Sequence, residues 1–192
     1  MSIDHPIHKA IVAAILAIVM NSIPLPVAAA DQADMRDEAA LLSALAVAGP
    51  DEARRLDRQL QRLWSDSGSA AMDLLLERGR QALQDEDPQA AIEHLTALTD
   101  HAPDFAEGWT ARASAYFQAD LAGPALADLE RALALNPNNY NAMIGLGAIL
   151  ESFGDKRRAY LAYRRAQAIH PHHEDITKAL DRLRSGVEGE AL

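Results

Sequence analysis

Cysteine is absent from this 192-residue chain, which excludes disulfides, thiol nucleophiles, thiolate metal sites and a lipid-modified N-terminal Cys. Aromatic residues are scarce at 5%, so any core must be built mainly from Ala and Leu. Basic residues do not predominate: 18 Lys and Arg against 28 Asp and Glu leave a net charge of −10. That balance argues against nucleic acid or anionic lipid as partner, because both require a basic surface. The N-terminal apolar run, Ala10 to Met20, is eleven residues long. As a helix it rises only about 16 Å, roughly half of a hydrocarbon core. Also missing are a Gly-rich phosphate loop, an HExxH spacing and a nucleophile beside a base, so the chain reads as neither enzymatic nor cofactor-dependent.

What the first thirty residues do contain is an export pattern. Lys9 precedes the apolar run, Pro24 and Pro26 interrupt it, and Ala28, Ala29 and Ala30 supply the small residues that a signal peptidase reads. Residues 1–30 are therefore expected to form a signal peptide cut after Ala30, with Ala29 an alternative.

Prolines 103, 137 and 171 stand 34 residues apart and mark a repeat. Aligning Met72, Ala106 and Tyr140 puts Gly79, Ala113 and Gly147 in one column, Ala91, Ala125 and Ala159 in a second, and Leu95, Leu129 and Tyr163 in a third. Each row reads as two amphipathic helices with a turn near Glu86-Asp87-Pro88, Asp120 to Pro124 or Gly154-Asp155. Asp87 suits an N-cap and Pro88 the first helical position. Small columns let two helix backbones approach while large residues of the facing helix fill the space beside the contact. A bulky residue at Ala125 or Ala159 would overpack that crossing.

These columns resemble the tetratricopeptide repeat (TPR), matched best by Trp109, Ala113, Tyr116, Ala125, Leu129, Ala132 and Pro137, and again by Leu146, Gly147, Ala159, Tyr163, Ala166 and Pro171. The first row departs from the pattern at Arg78, Ala82 and Leu98 but keeps Gly79, Ala91, Leu95 and Pro103. The expected fold is all-α, an α-solenoid of tandem helix-turn-helix repeats. Its organisation reads as an N-terminal helix pair at 31–71, either a degenerate repeat or a cap, then repeats at 72–105, 106–139 and 140–173. Residues 174–192 provide a capping helix, carrying Ile176, Leu180 and Leu183 on one stripe, and a tail.

The resemblance implies a concave groove lined by the first helix of each pair. The positions that correspond are Leu76, Arg80, Leu83, Glu107, Thr110, Ser114, Phe117, Asn141, Ile144, Ala148 and Glu151. Only Arg80 among them is basic, which disfavours capture of a partner's C-terminal carboxylate. Ile144 and Ala148 lie on a stretch, Met143 to Leu150, that is apolar on every side and calls for a covering segment, a second copy or a neighbouring helix. His170, His172 and His173 have the composition of a metal site, but their place in an inter-repeat turn reads as solvated and non-ligating. With the export signal, the resemblance implies a periplasmic adaptor that binds a protein or peptide. The alternatives are a self-associating scaffold subunit of an envelope complex and a His-based metal carrier.

Overall fold

The computed structural model describes the backbone of residues 28–189 and the side chains of 37–184. The expected leader and cleavage region lie almost wholly outside the described residues. The chain divides into two compact units, Met1–Asp37 and Glu38–Leu192. Of the first, the helical backbone from Ala28 is described; every contact discussed below lies within the second.

The described residues form helices α1 (Ala28–Val47), α2 (Pro50–Trp64), α3 (Ala70–Gln84), α4 (Pro88–His101), α5 (Ala106–Gln118), α6 (Ala122–Leu135), α7 (Tyr140–Ser152), α8 (Lys156–Ile169) and α9 (Glu174–Gly189), with no strand among them. No helix among these residues is long and apolar enough to cross a membrane. The 34-residue period is written into the backbone. Glu86, Asp120 and Gly154 each adopt a positive φ, of 58°, 60° and 78°, just after the first helix of a pair. The next N–H then reaches back to the helix, from Asp87 to Ala82, Leu121 to Tyr116 and Asp155 to Leu150, at 2.8–2.9 Å. This closure satisfies a terminal carbonyl and turns the chain into the second helix. Asp87 and Asp155 then cap α4 and α8 by accepting the backbone N–H of Ala90 and Arg158.

Each pair closes through its small column. A Cβ on Gly79 would stand 2.4 Å from Leu95 Cγ, and one on Gly147 2.7 Å from Tyr163 Cζ. The backbones thus approach so closely that the facing Leu or Tyr occupies the space a side chain would need. Leu76, Ala91, Leu95 and Leu98 make the core of the first pair, and Ala113, Ala125, Leu129 and Ala132 that of the second. Ile176, Ala179, Leu180 and Leu183 of α9 close the far end, in one cluster with Met143, Tyr163 and Ala166.

The N-terminal helix pair departs from the place ahead of repeat 1 that chain order suggests. Leu45 of α1 and Ala53, Leu56, Leu60 and Trp64 of α2 join the apolar cluster of repeat 3 and α9. The reason lies in which surface needs cover. Repeat 3 begins with Tyr140, Met143 and Ile144, large apolar residues at one end of α7, and the apolar row of α2 fits that surface. Burial of such a row is the main favourable term available to a helix that is polar elsewhere.

Candidate functional site

Helices α3, α5 and α7 are the first members of the three pairs, and they line a concave cavity of about 680 Å³. Leu83 of α3, Thr110, Ser114, Phe117 and Gln118 of α5, and Asn141, Gly145, Ile149 and Ser152 of α7 form most of its wall. Phe117 is 40% exposed although large and apolar, which makes it the most accessible hydrophobic group there. Gly145 has no side chain to fill its part of the wall, and a Cβ there would meet Leu129 at 3.3 Å behind it. A mostly apolar wall with a few amides and hydroxyls is the usual make-up of a ligand or peptide site.

The structure gathers Leu83, Thr110, Ser114, Phe117 and Asn141 from the sequence-derived set around this cavity. Arg80 and Glu107 line an adjoining depression of about 420 Å³ with Gln61 and Ser65 of the N-terminal segment. Arg80 donates to the Glu107 carboxylate and to Ser65 Oγ. Glu107 is buried, and its other oxygen accepts from Asn139 Nδ2 at 3.3 Å. Burial pushes the Glu107 carboxyl above the usual range, while the Arg80 guanidinium and Asn139 pull it down. The single basic residue of the groove is therefore already compensated from within.

Three positions of that set are buried, two of them within the walls just described. Leu76 and Thr110 are buried with Glu107, because a short helix flanked on two sides keeps only a narrow strip free. Ile144 packs against the repeat 3 cluster, and Glu151 is held by Arg182 of α9 through bonds of 2.7 and 2.8 Å. The Arg182 guanidinium holds the Glu151 carboxyl below its ordinary range. Ala148 is half-buried on the same helix. Asn139, Gly145 and Ile149 belong to the site or its support and were not read from the sequence. The Gly145 and Gly147 pair within α7 was the available signal, since two glycines in a helix imply close approach or a deliberate opening.

No family model matches the chain. A TPR repeat-containing protein of Rhizobium etli is 28% identical over 140 residues, covering 73% of this chain and 69% of that protein. The human Protein SGT1 homolog is 38% identical over 81 residues, 42% of this chain and only 22% of its own length. Among solved structures, the first TPR domain of human RPAP3 superposes with a TM-score of 0.60 at 25% identity, over 63% of this chain and 95% of that domain. The first TPR of Spaghetti (RPAP3), bound to the HSP90 peptide SRMEEVD, gives 0.60 at 26% over 62% and 95%. The chain is thus similar in sequence and in fold to tetratricopeptide-repeat proteins.

Within the array of helix pairs the His cluster behaves differently from the solvated turn expected of it. His170 is 4% exposed, and its ring lies 5.2 Å from that of Tyr140 and 5.1 Å from that of His173. The Nδ1 atoms of His170 and His173 are buried without a hydrogen-bond partner. No group of three metal-ligating side chains occurs among the described residues. Burial first, then the neighbouring His173, hold His170 below its ordinary value of 6.5, against a smaller opposing pull from Asp57. The folded state thus resists a proton that the unfolded chain accepts. Stability from this group is complete above about pH 6.5 and is lost as pH falls below it. We expect a His170→Phe variant to lose less thermal stability than the parent between pH 7.5 and 5.5, read by calorimetry at both. Equal losses would place the titration elsewhere.

Proposed function

We propose that this chain is an exported, non-enzymatic adaptor whose open concave cavity holds a peptide or protein segment. The observation that carries the reading is the 680 Å³ cavity on α3, α5 and α7, with Phe117 exposed at its wall. The Spaghetti domain, similar in fold and 26% identical, is solved with a peptide bound. A preformed groove limits the ordering entropy lost when a segment binds. Compensation of Arg80 by Glu107 favours a segment held by apolar contact and amide hydrogen bonds over one held by a terminal carboxylate. Export to the periplasm rests on the pattern of residues 1–30, and N-terminal sequencing of the secreted chain tests it.

The binding test is affinity capture from an envelope extract, with the parent chain beside a Phe117→Glu variant. A charge at the exposed wall leaves the core intact yet desolvates poorly under a bound segment. Retention of the captured protein should fall at least tenfold in the variant. Equal retention by both would move binding to another surface.

A further inference from the structure

The surface beneath α2 differs in kind from the crossings inside the repeats. Within a pair, backbones meet at Gly or Ala with a Leu or Tyr wedged alongside. The α2 helix instead docks through long side chains, as a bound peptide helix does. Leu56, Leu60 and Trp64, spaced i, i+4 and i+8, are its buried anchors together with Ala53. The Trp64 ring lies 5.2 Å from that of Tyr140, at a tilt of 59°. Between the anchors, Asp57 accepts from the Tyr140 hydroxyl, Gln61 Nε2 donates to that hydroxyl at 3.0 Å, and Gln61 Oε1 accepts from Asn141 Nδ2 at 3.0 Å. These contacts join residues about 80 positions apart in the chain.

Two features mark this docking as replaceable. Along the chain the hairpin is joined to the array by the short link Ser65–Ser69, which contains Gly68 at a φ of 75°. Beneath Tyr140, His170 and His173 keep buried ring nitrogens unpaired, a polar floor that no group of the hairpin satisfies.

The geometry points to the α1–α2 hairpin as a built-in occupant of a second binding surface, one that an external amphipathic helix takes by displacing it. That partner presents apolar residues at i, i+4 and i+8, with a carboxylate at i+1 and a carboxamide at i+5, the pattern of Leu56, Asp57, Leu60, Gln61 and Trp64. The surface shares Asn141 with the cavity at Phe117, but none of its apolar anchors lines that cavity, so either reading can fail alone.

The test uses the full chain and a fluorescent synthetic peptide of residues 50–66, followed by anisotropy. The tethered α2 competes at high effective concentration, so the parent should bind the peptide weakly. A Leu56→Asp/Leu60→Asp double variant, with its own hairpin undocked, should bind at least 100-fold more tightly. A peptide carrying Leu60→Asp should bind neither chain. A helical, cooperatively melting double variant that ignores the peptide overturns the proposal. Should that variant fail to fold, hydrogen exchange on the parent decides. Amides of α2 exchanging at least 100-fold faster than those of α5 support displacement, and exchange of both only through global unfolding makes the hairpin permanent core.

Discussion

Replacing Asp128 with Ala should lower the stability of the array by about 3–5 kcal/mol, equivalent to a fall of roughly 6–20 °C in Tm. Asp128 on α6 receives both Nε and Nη2 of Arg112, at 2.7 and 2.9 Å, in a bidentate pair. Its side chain is 7% exposed and that of Arg112 12%, so neither charge is solvated well enough to stand alone. Arg112 Nη1 also donates to Thr99 Oγ1 at 2.6 Å, which ties α4 to α5 and α6 through one guanidinium. The same group lies 4.8 Å from the centre of the Trp109 ring and 5.6 Å from that of Tyr116. Asp128→Ala removes the carboxylate and leaves this cation buried. The large loss comes from the uncompensated charge more than from the bond itself. A second variant separates the two: Arg112→Met with Asp128→Leu removes both charges and should recover most of the loss in urea denaturation. A double variant as unstable as the single one would show that the pair holds the repeats together by its geometry.

The legible part of this protein is what depends on short separations. The 34-residue columns, the Asp87 cap before Pro88 and the Ile176, Leu180 and Leu183 stripe are all set by residues within a turn or two of one another. The covering of α7 shows where that reasoning stops. Met143 to Leu150 carried the signal that something lies over this helix, because no polar face is available. Nothing local singled out Leu56, Leu60 and Trp64 as part of the cover. Their row suits any apolar surface, and the choice of repeat 3 over repeat 1 is made by Tyr140 and Asn141, far away in the chain.

The partners of charged residues are hidden from pattern for a related reason. Glu107 and Arg80 sit at groove positions, yet they face each other between α5 and α3, and Glu107 is buried. Arg112 and Asp128 are ordinary charges in sequence, separated by 16 positions. A pattern of helix faces assigns such residues to solvent, whereas pairing lets them enter the core.

Gly147→Ala should destabilise the chain by up to about 2 kcal/mol, an overpacking cost of about 1–3 less the gain of about 1 that Ala brings to a helix. The added Cβ would stand 2.7, 2.8 and 2.9 Å from three atoms of the Tyr163 ring, which is buried and rigid. Gly123→Ala is the control: it also lies in a helix, with nothing within 4 Å of a new Cβ, and should not destabilise. The repeats themselves suggest the rescue. Where repeat 3 pairs Gly147 with Tyr163, repeat 2 carries Ala113 and Leu129 in the same columns, both buried in one cluster. Between repeats 2 and 3 size lost on one helix is thus matched by size gained on the other, although repeat 1 pairs Gly79 with Leu95. Gly147→Ala combined with Tyr163→Leu should be more stable than the sum of the two single effects predicts, by about 0.5–3 kcal/mol in a double-mutant cycle. Strict additivity would mean that the helices reposition independently of this contact, and the small column would then owe its Gly to something other than Tyr163.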